Sequence, residues 1–86
     1  MGNESVEQAL QGMALAEVKR KITYYQQRIR GLERKHGMDF ETFSARLEGR
    51  AAPQEEDDWL AWRSANQMLA AWQKTYKELD HARVRA

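Results

Sequence analysis

Two apolar seams, each alternating three and four residues apart, leave this chain few folds to adopt. The first runs Leu15, Val18, Ile22, Tyr25, Ile29, Leu32 and on to His36; the second runs Trp62, Ala65, Leu69, Trp72, Tyr76 and Leu79, with Trp59 just ahead. An α-helix puts such positions on one face, whereas a strand needs period two, which is absent. The first seam is about three heptads long, with Leu15, Ile22 and Ile29 at one core position and Val18, Tyr25 and Leu32 at the other. At 1.5 Å per residue both helices would be roughly 40–45 Å long, matched for side-by-side packing. The expected fold is all-α: an antiparallel, coiled-coil-like hairpin of two long helices joined by a short capping helix.

The boundaries follow from local chemistry. Ser5-Val6-Glu7-Gln8 reads as a capping box, so the first long helix is expected over about residues 5–36. Gly37 ends it, since glycine turns left-handed without steric cost, and Met38 can fold back on Leu32. Asp39 is an N-cap for a short helix over about 40–48, with Met38 and Phe43 at staple positions and Phe40, Phe43 and Leu47 on one face. Gly49 closes that helix. Pro53 then suits a first helical turn, and Glu55-Glu56-Asp57-Asp58 puts four acids at the positive end of a helix dipole, so the second long helix spans about 54–82.

Pairing opposite core positions in an antiparallel arrangement gives the layers Ile22–Leu79, Tyr25–Tyr76, Ile29–Trp72, Leu32–Leu69 and His36–Ala65. It sets Lys19 near Asp80 and Gln26 near Gln73. A slide of one heptad satisfies the pattern equally well.

Composition sets the outer limits. Eighty-six residues make a single domain, 1–86, without cysteine to staple it. No apolar run approaches the roughly 20 residues of a membrane span, no secretory pattern is present, and Ser5 stands one place early for myristoylation. The expected location is the cytoplasm. A net charge of +1 conceals segregation: residues 1–17 and 39–58 are acidic, while 18–38 carry seven cations against Glu33. Blocks of opposite sign suit matching within the fold or to a partner rather than generic nucleic-acid binding.

Function is expected to reside in a surface. Trp59, Leu60, Ala61, Met68, Ala70 and Ala71 flank the second seam, and Val6, Leu10, Met13 and Ala14 lie off the first. At about 25 cal/mol per Å² of apolar surface, leaving such faces in water costs several kcal/mol, and self-association or docking on another protein would cover them. Lys21, Arg28 and Lys35 recur every seven residues beside the first seam and face Ala61, Met68 and Thr75 in the expected register, so no acid neutralises them. The candidate partner-binding residues are Trp59, Trp62, Met68, Lys21, Arg28 and Lys35. A solvated charged face is the plainer reading of the basic stripe.

Three motifs carry a resemblance: Lys21-Ile22-x-x-Tyr25, then Lys35-His36-Gly37-Met38-Asp39-Phe40-Glu41-Thr42-Phe43, then Glu55-Glu56-Asp57-Asp58-Trp59-x-x-Trp62. From Lys21 to Leu79 the chain resembles small bacterial and archaeal proteins encoded beside toxin-like genes and treated as their antitoxin partners. Tyrosine is commoner than His36 before the glycine in that pattern, and the first twenty residues are little covered. The resemblance implies a partner-binding, toxin-neutralising role and names no catalytic residue.

The rival functions have weaker footing. Glu33…His36 and Glu78…His81 have the spacing of helical di-metal sites, but further inward glutamates are missing, so no metal or cofactor is expected. Nucleic acid is the main alternative, with Arg20, Arg28, Arg30, Arg34 and Lys35 on phosphates and Tyr24 stacking on a base. It is not favoured, because the second long helix starts acidic where it would meet phosphate. There is no cysteine, no phosphate-cradling loop, and no histidine tellingly placed for Ser5, Ser44 or Ser64, so the chain is not expected to be an enzyme.

Overall fold

Two left-handed glycines and one aspartate decide where the helices stop. A computed structural model describes the backbone of residues 2–85 and the side chains of residues 6–82. Three helices follow in order: α1 (Gly2–His36), α2 (Phe40–Leu47) and α3 (Pro53–Arg85). Gly37 has φ 67° and Gly49 φ 79°, the left-handed turns expected after α1 and α2. The Gly37 N–H donates to the Glu33 carbonyl at 2.7 Å, closing the last turn of α1. Asp39 caps α2 by accepting the Thr42 N–H at 2.8 Å. That hydrogen bonding, first from the Thr42 side chain and then from its backbone, holds the Asp39 carboxyl below its ordinary pKa.

The start of α3 is a capping box with one arm. Pro53 opens the helix, and the Glu55 carboxylate reaches back to accept the Ala52 N–H at 3.2 Å. At the other end, α1 begins at Gly2, three residues before the expected Ser5 cap, whose side chain lies outside the described residues.

The two long helices pack against each other, and α2 packs on α3. All secondary structure among the described residues is helical, as the seams predict. The result is a rod 62 Å long and only 18 by 17 Å across. Its core is one layer of side chains: Leu15 and Val18 from α1, Phe43 from α2, Trp62 and Ala65 from α3. Trp62 is 1% exposed and anchors an aromatic cluster. Its ring centroid lies 5.4 Å from Phe43, 5.6 Å from Phe40 and 6.1 Å from His36. His36 in turn lies 4.2 Å from Phe43. Aromatic contacts of this kind add about 0.5–1.5 kcal/mol each to area burial, so the end where the chain turns is its most heavily fastened part.

The expected register is corrected by this closed end. His36 meets Asp58 and Trp62, earlier on α3 than the Ala65 expected as its layer partner, and the Lys19 ammonium sits over the Tyr76 ring at 5.7 Å, one turn before Asp80. Ile29 lines one cavity with Trp62 and Asn66, which lie earlier on α3 than the Trp72 expected opposite it. The helices have therefore slid by roughly one to two turns toward the start of α3. A heptad seam is satisfied at every seventh residue, and the aromatic cluster beneath α2 selects among the solutions. Among the described residues, the Trp72 indole N–H is buried without a hydrogen-bond partner, a polar cost to the core.

Candidate functional site

Four acids begin α3, and three of them do different things. Glu55 caps the helix, as above. Asp58 fastens α3 to the last turn of α1: one of its oxygens lies 2.7 Å from Lys35 Nζ and 2.8 Å from His36 Nε2. The Lys35 hydrogen bond, followed by that of His36, lowers the Asp58 pKa from its ordinary value against the opposing effect of burial. Glu56 faces a groove. The helix dipole alone, the simplest sequence explanation for the run, accounts for none of these specific contacts.

That groove lies between the end of α2 and the first turns of α3. It encloses about 470 Å³, walled by Ser44 and Leu47 on one side, Trp59 and Leu60 on the other, and Ala51 at the turn. Glu48 and Glu56 complete the lining. The Trp59 indole N–H donates to Ser44 Oγ at 2.8 Å, its ring stacks on Phe40 at 5.8 Å, and the Arg63 guanidinium lies 5.6 Å from its centroid. Trp59 is thus a pre-positioned wall, and its orientation costs no ordering on binding. Leu60, 55% exposed, stands at the groove as a half-open apolar anchor. Apolar walls with two carboxylates suit a side chain that is greasy along its stem and positive at its tip.

The candidate residues divide sharply. Trp59 lines the groove and Met68 is exposed on α3. Trp62 is withdrawn from the partner surface, because it fills the core beneath α2; its place in the seam outweighed its size as an interface anchor. Lys35 is not the unneutralised cation expected, since the slide in register brings Asp58 to it. Arg28 lies 5.9 Å from the Tyr24 ring, and Lys21 is exposed on α1. The structure therefore does not gather Lys21, Arg28 and Lys35 with the tryptophans into one site. Ser44, Leu47, Glu48 and Glu56 were missed as site residues. Leu47 carried a signal, as an apolar residue next to a glycine-closed helix end, but Ser44 carried none.

His36 points at Asp58, not into a pair with Glu33, and among the described residues no three His, Cys, Asp or Glu side chains are grouped to hold a metal ion. Among those residues, too, no helix is long and apolar enough to cross a membrane. Comparison with family models, curated proteins and solved structures returned no match.

Proposed function

We propose that the chain is a non-catalytic protein–protein interaction module, an antitoxin-like antiparallel helical hairpin that binds and neutralises a cognate toxin in the cytoplasm. The observation that carries this reading is the groove, with Trp59 hydrogen-bonded in place and Leu60 left half-open beside two carboxylates. A basic, apolar segment of a protein partner fits that chemistry. The resemblance of residues 21–79 to antitoxin-like proteins points to the product of a neighbouring gene as the partner. Co-expression with that product should give a complex that survives purification. Leu60→Glu should disrupt the complex while leaving the melting temperature of the free chain unchanged. A neighbouring product that elutes separately, or a complex indifferent to Leu60→Glu, removes the reading.

A second reading has its own observation. Lys19, Arg20, Thr23, Tyr24 and Gln27 form a shallow basic depression on α1, with Tyr24 exposed for stacking. If this face binds nucleic acid, affinity for a single-stranded oligonucleotide should fall steeply with salt and with Tyr24→Ala.

A further inference from the structure

The back of α1 carries a second heptad stripe, and its charges are self-complementary. Val6, Leu10, Met13, Glu17, Arg20, Tyr24, Gln27 and Gly31 alternate four and three residues apart. At 3.6 residues per turn this stripe lies about 140° round the helix from the seam that packs on α3. It is open along its length: Val6, Leu10 and Met13 are 57%, 59% and 69% exposed. Glu17 and Arg20 at its centre are also exposed and pair with each other.

From this we propose that a second copy of the chain docks on this stripe, α1 against α1 in antiparallel orientation about a two-fold axis between Glu17 and Arg20. Antiparallel helices pair unlike core positions of the heptad. The axis then sets each Glu17 opposite the Arg20 of the other copy. Met13 falls opposite Tyr24, Leu10 opposite Gln27, and Val6 opposite Gly31. A Cβ built on Gly31 meets nothing within 4 Å, so the facing backbone can approach there. The sign pattern agrees on either side of the axis. Glu7 falls opposite Arg30 of the other copy, as Glu17 falls opposite Arg20. A parallel arrangement sets like blocks side by side and is disfavoured. Because the interface is isologous it closes on itself as a dimer and does not propagate. The central ion-pair layers act as polar core positions that fix the register.

The groove at α2 and α3 plays no part in this contact, so the two ideas fail separately: Leu60→Glu should leave the oligomeric state unchanged. The test is solution mass by light scattering and sedimentation. The wild-type chain should move from 10.1 kDa toward twice that mass with rising concentration. Glu17→Arg alone leaves two arginines at the central layers of each copy, and Arg20→Glu alone leaves two glutamates. Each variant should lose self-association roughly tenfold or more. Mixing the two should restore a dimer containing one of each, because every central layer is again of opposite sign. Both substitutions sit on the exposed face and should keep the wild-type helix content by circular dichroism. Should either misfold, Met13→Glu provides the same loss of self-association. A chain monomeric up to millimolar concentration overturns the proposal, whether or not it binds an oligonucleotide through Arg20. So does a dimer that Glu17→Arg leaves intact, or a mixture of the two variants that stays monomeric.

Discussion

The closed end and the free end of this rod are built from the same heptad pattern and fastened in different ways. At the closed end, Trp62, Phe43, Phe40 and His36 interlock, Asp58 takes Lys35 and His36, and two left-handed glycines set the turns. Toward the free end Leu15 and Val18 are buried, but Val6, Leu10 and Met13 stand in water. The lesson is that the seam supplies stability along the rod, while the aromatic end supplies uniqueness. One end selects the register and carries the groove, and the other leaves apolar side chains of α1 exposed.

Breaking that contrast begins with Trp62→Ala, which should cost about 3–5 kcal/mol in chemical denaturation, as expected for truncating a fully buried aromatic. A loss below about 1 kcal/mol would mean the cluster does not anchor the fold. Leu15→Ala, in the free half, should cost about 2–3 kcal/mol, at the low end of the leucine range because its thinly covered surroundings can collapse. Equal losses at the two sites would erase the distinction.

Glycine substitutions sharpen the comparison by opposing signs. Gly37→Ala places a side chain at φ 67° and should lower stability by about 1–2 kcal/mol. Gly12→Ala, in mid-helix with nothing within 4 Å of the new methyl group, should raise it by about 0.5–1 kcal/mol. Thermal melts of the two variants moving in the same direction would contradict the backbone assignment.

Acid should act first at the closed end. A carboxylate whose folded pKa is depressed contributes stability that is present above its unfolded value, about 3.9, and is lost as pH falls through the lower folded value. Asp58 and Asp39 are both of this kind, and both belong to the closed end. Asp58→Asn should therefore flatten the loss of stability below about pH 4 relative to wild type. Parallel acid-titration curves for the two proteins would rule out the Asp58 contact as a source of acid sensitivity. The smallest effect is expected from Trp72→Phe. It removes a buried N–H that has no partner, so stability should hold or rise slightly, whereas Trp59→Phe forfeits the bond to Ser44.

What the sequence disclosed and concealed follows the range of the forces concerned. Asp39, Gly37, Gly49 and Pro53 act within a turn of themselves, so the helix boundaries near them were legible. The identity of the seam residues was legible too, because a period is a property of one helix. Register is a relation between two helices, and repetition every seven residues erases it. Asp58 meets His36 across 22 residues, and no local pattern announces that pairing. The groove was concealed for the same reason. Trp59 and Trp62 look alike in the sequence, yet α2 lies over one of them and only borders the other. Two of the three basic-stripe cations, Arg28 and Lys35, have intramolecular neighbours that only the fold reveals.

The narrow cross-section has a hydrodynamic consequence. The radius of gyration is 17.9 Å, against about 12 Å for a compact domain of this length. A globular protein would need roughly three times as many residues to reach that radius. A single copy of this chain will therefore leave a gel-filtration column early, at a volume that calibration with globular standards assigns to an assembly. Shape and mass must be separated before any elution shift is read as association. A monomer would declare itself by a high frictional ratio in sedimentation, at a scattered mass of 10.1 kDa.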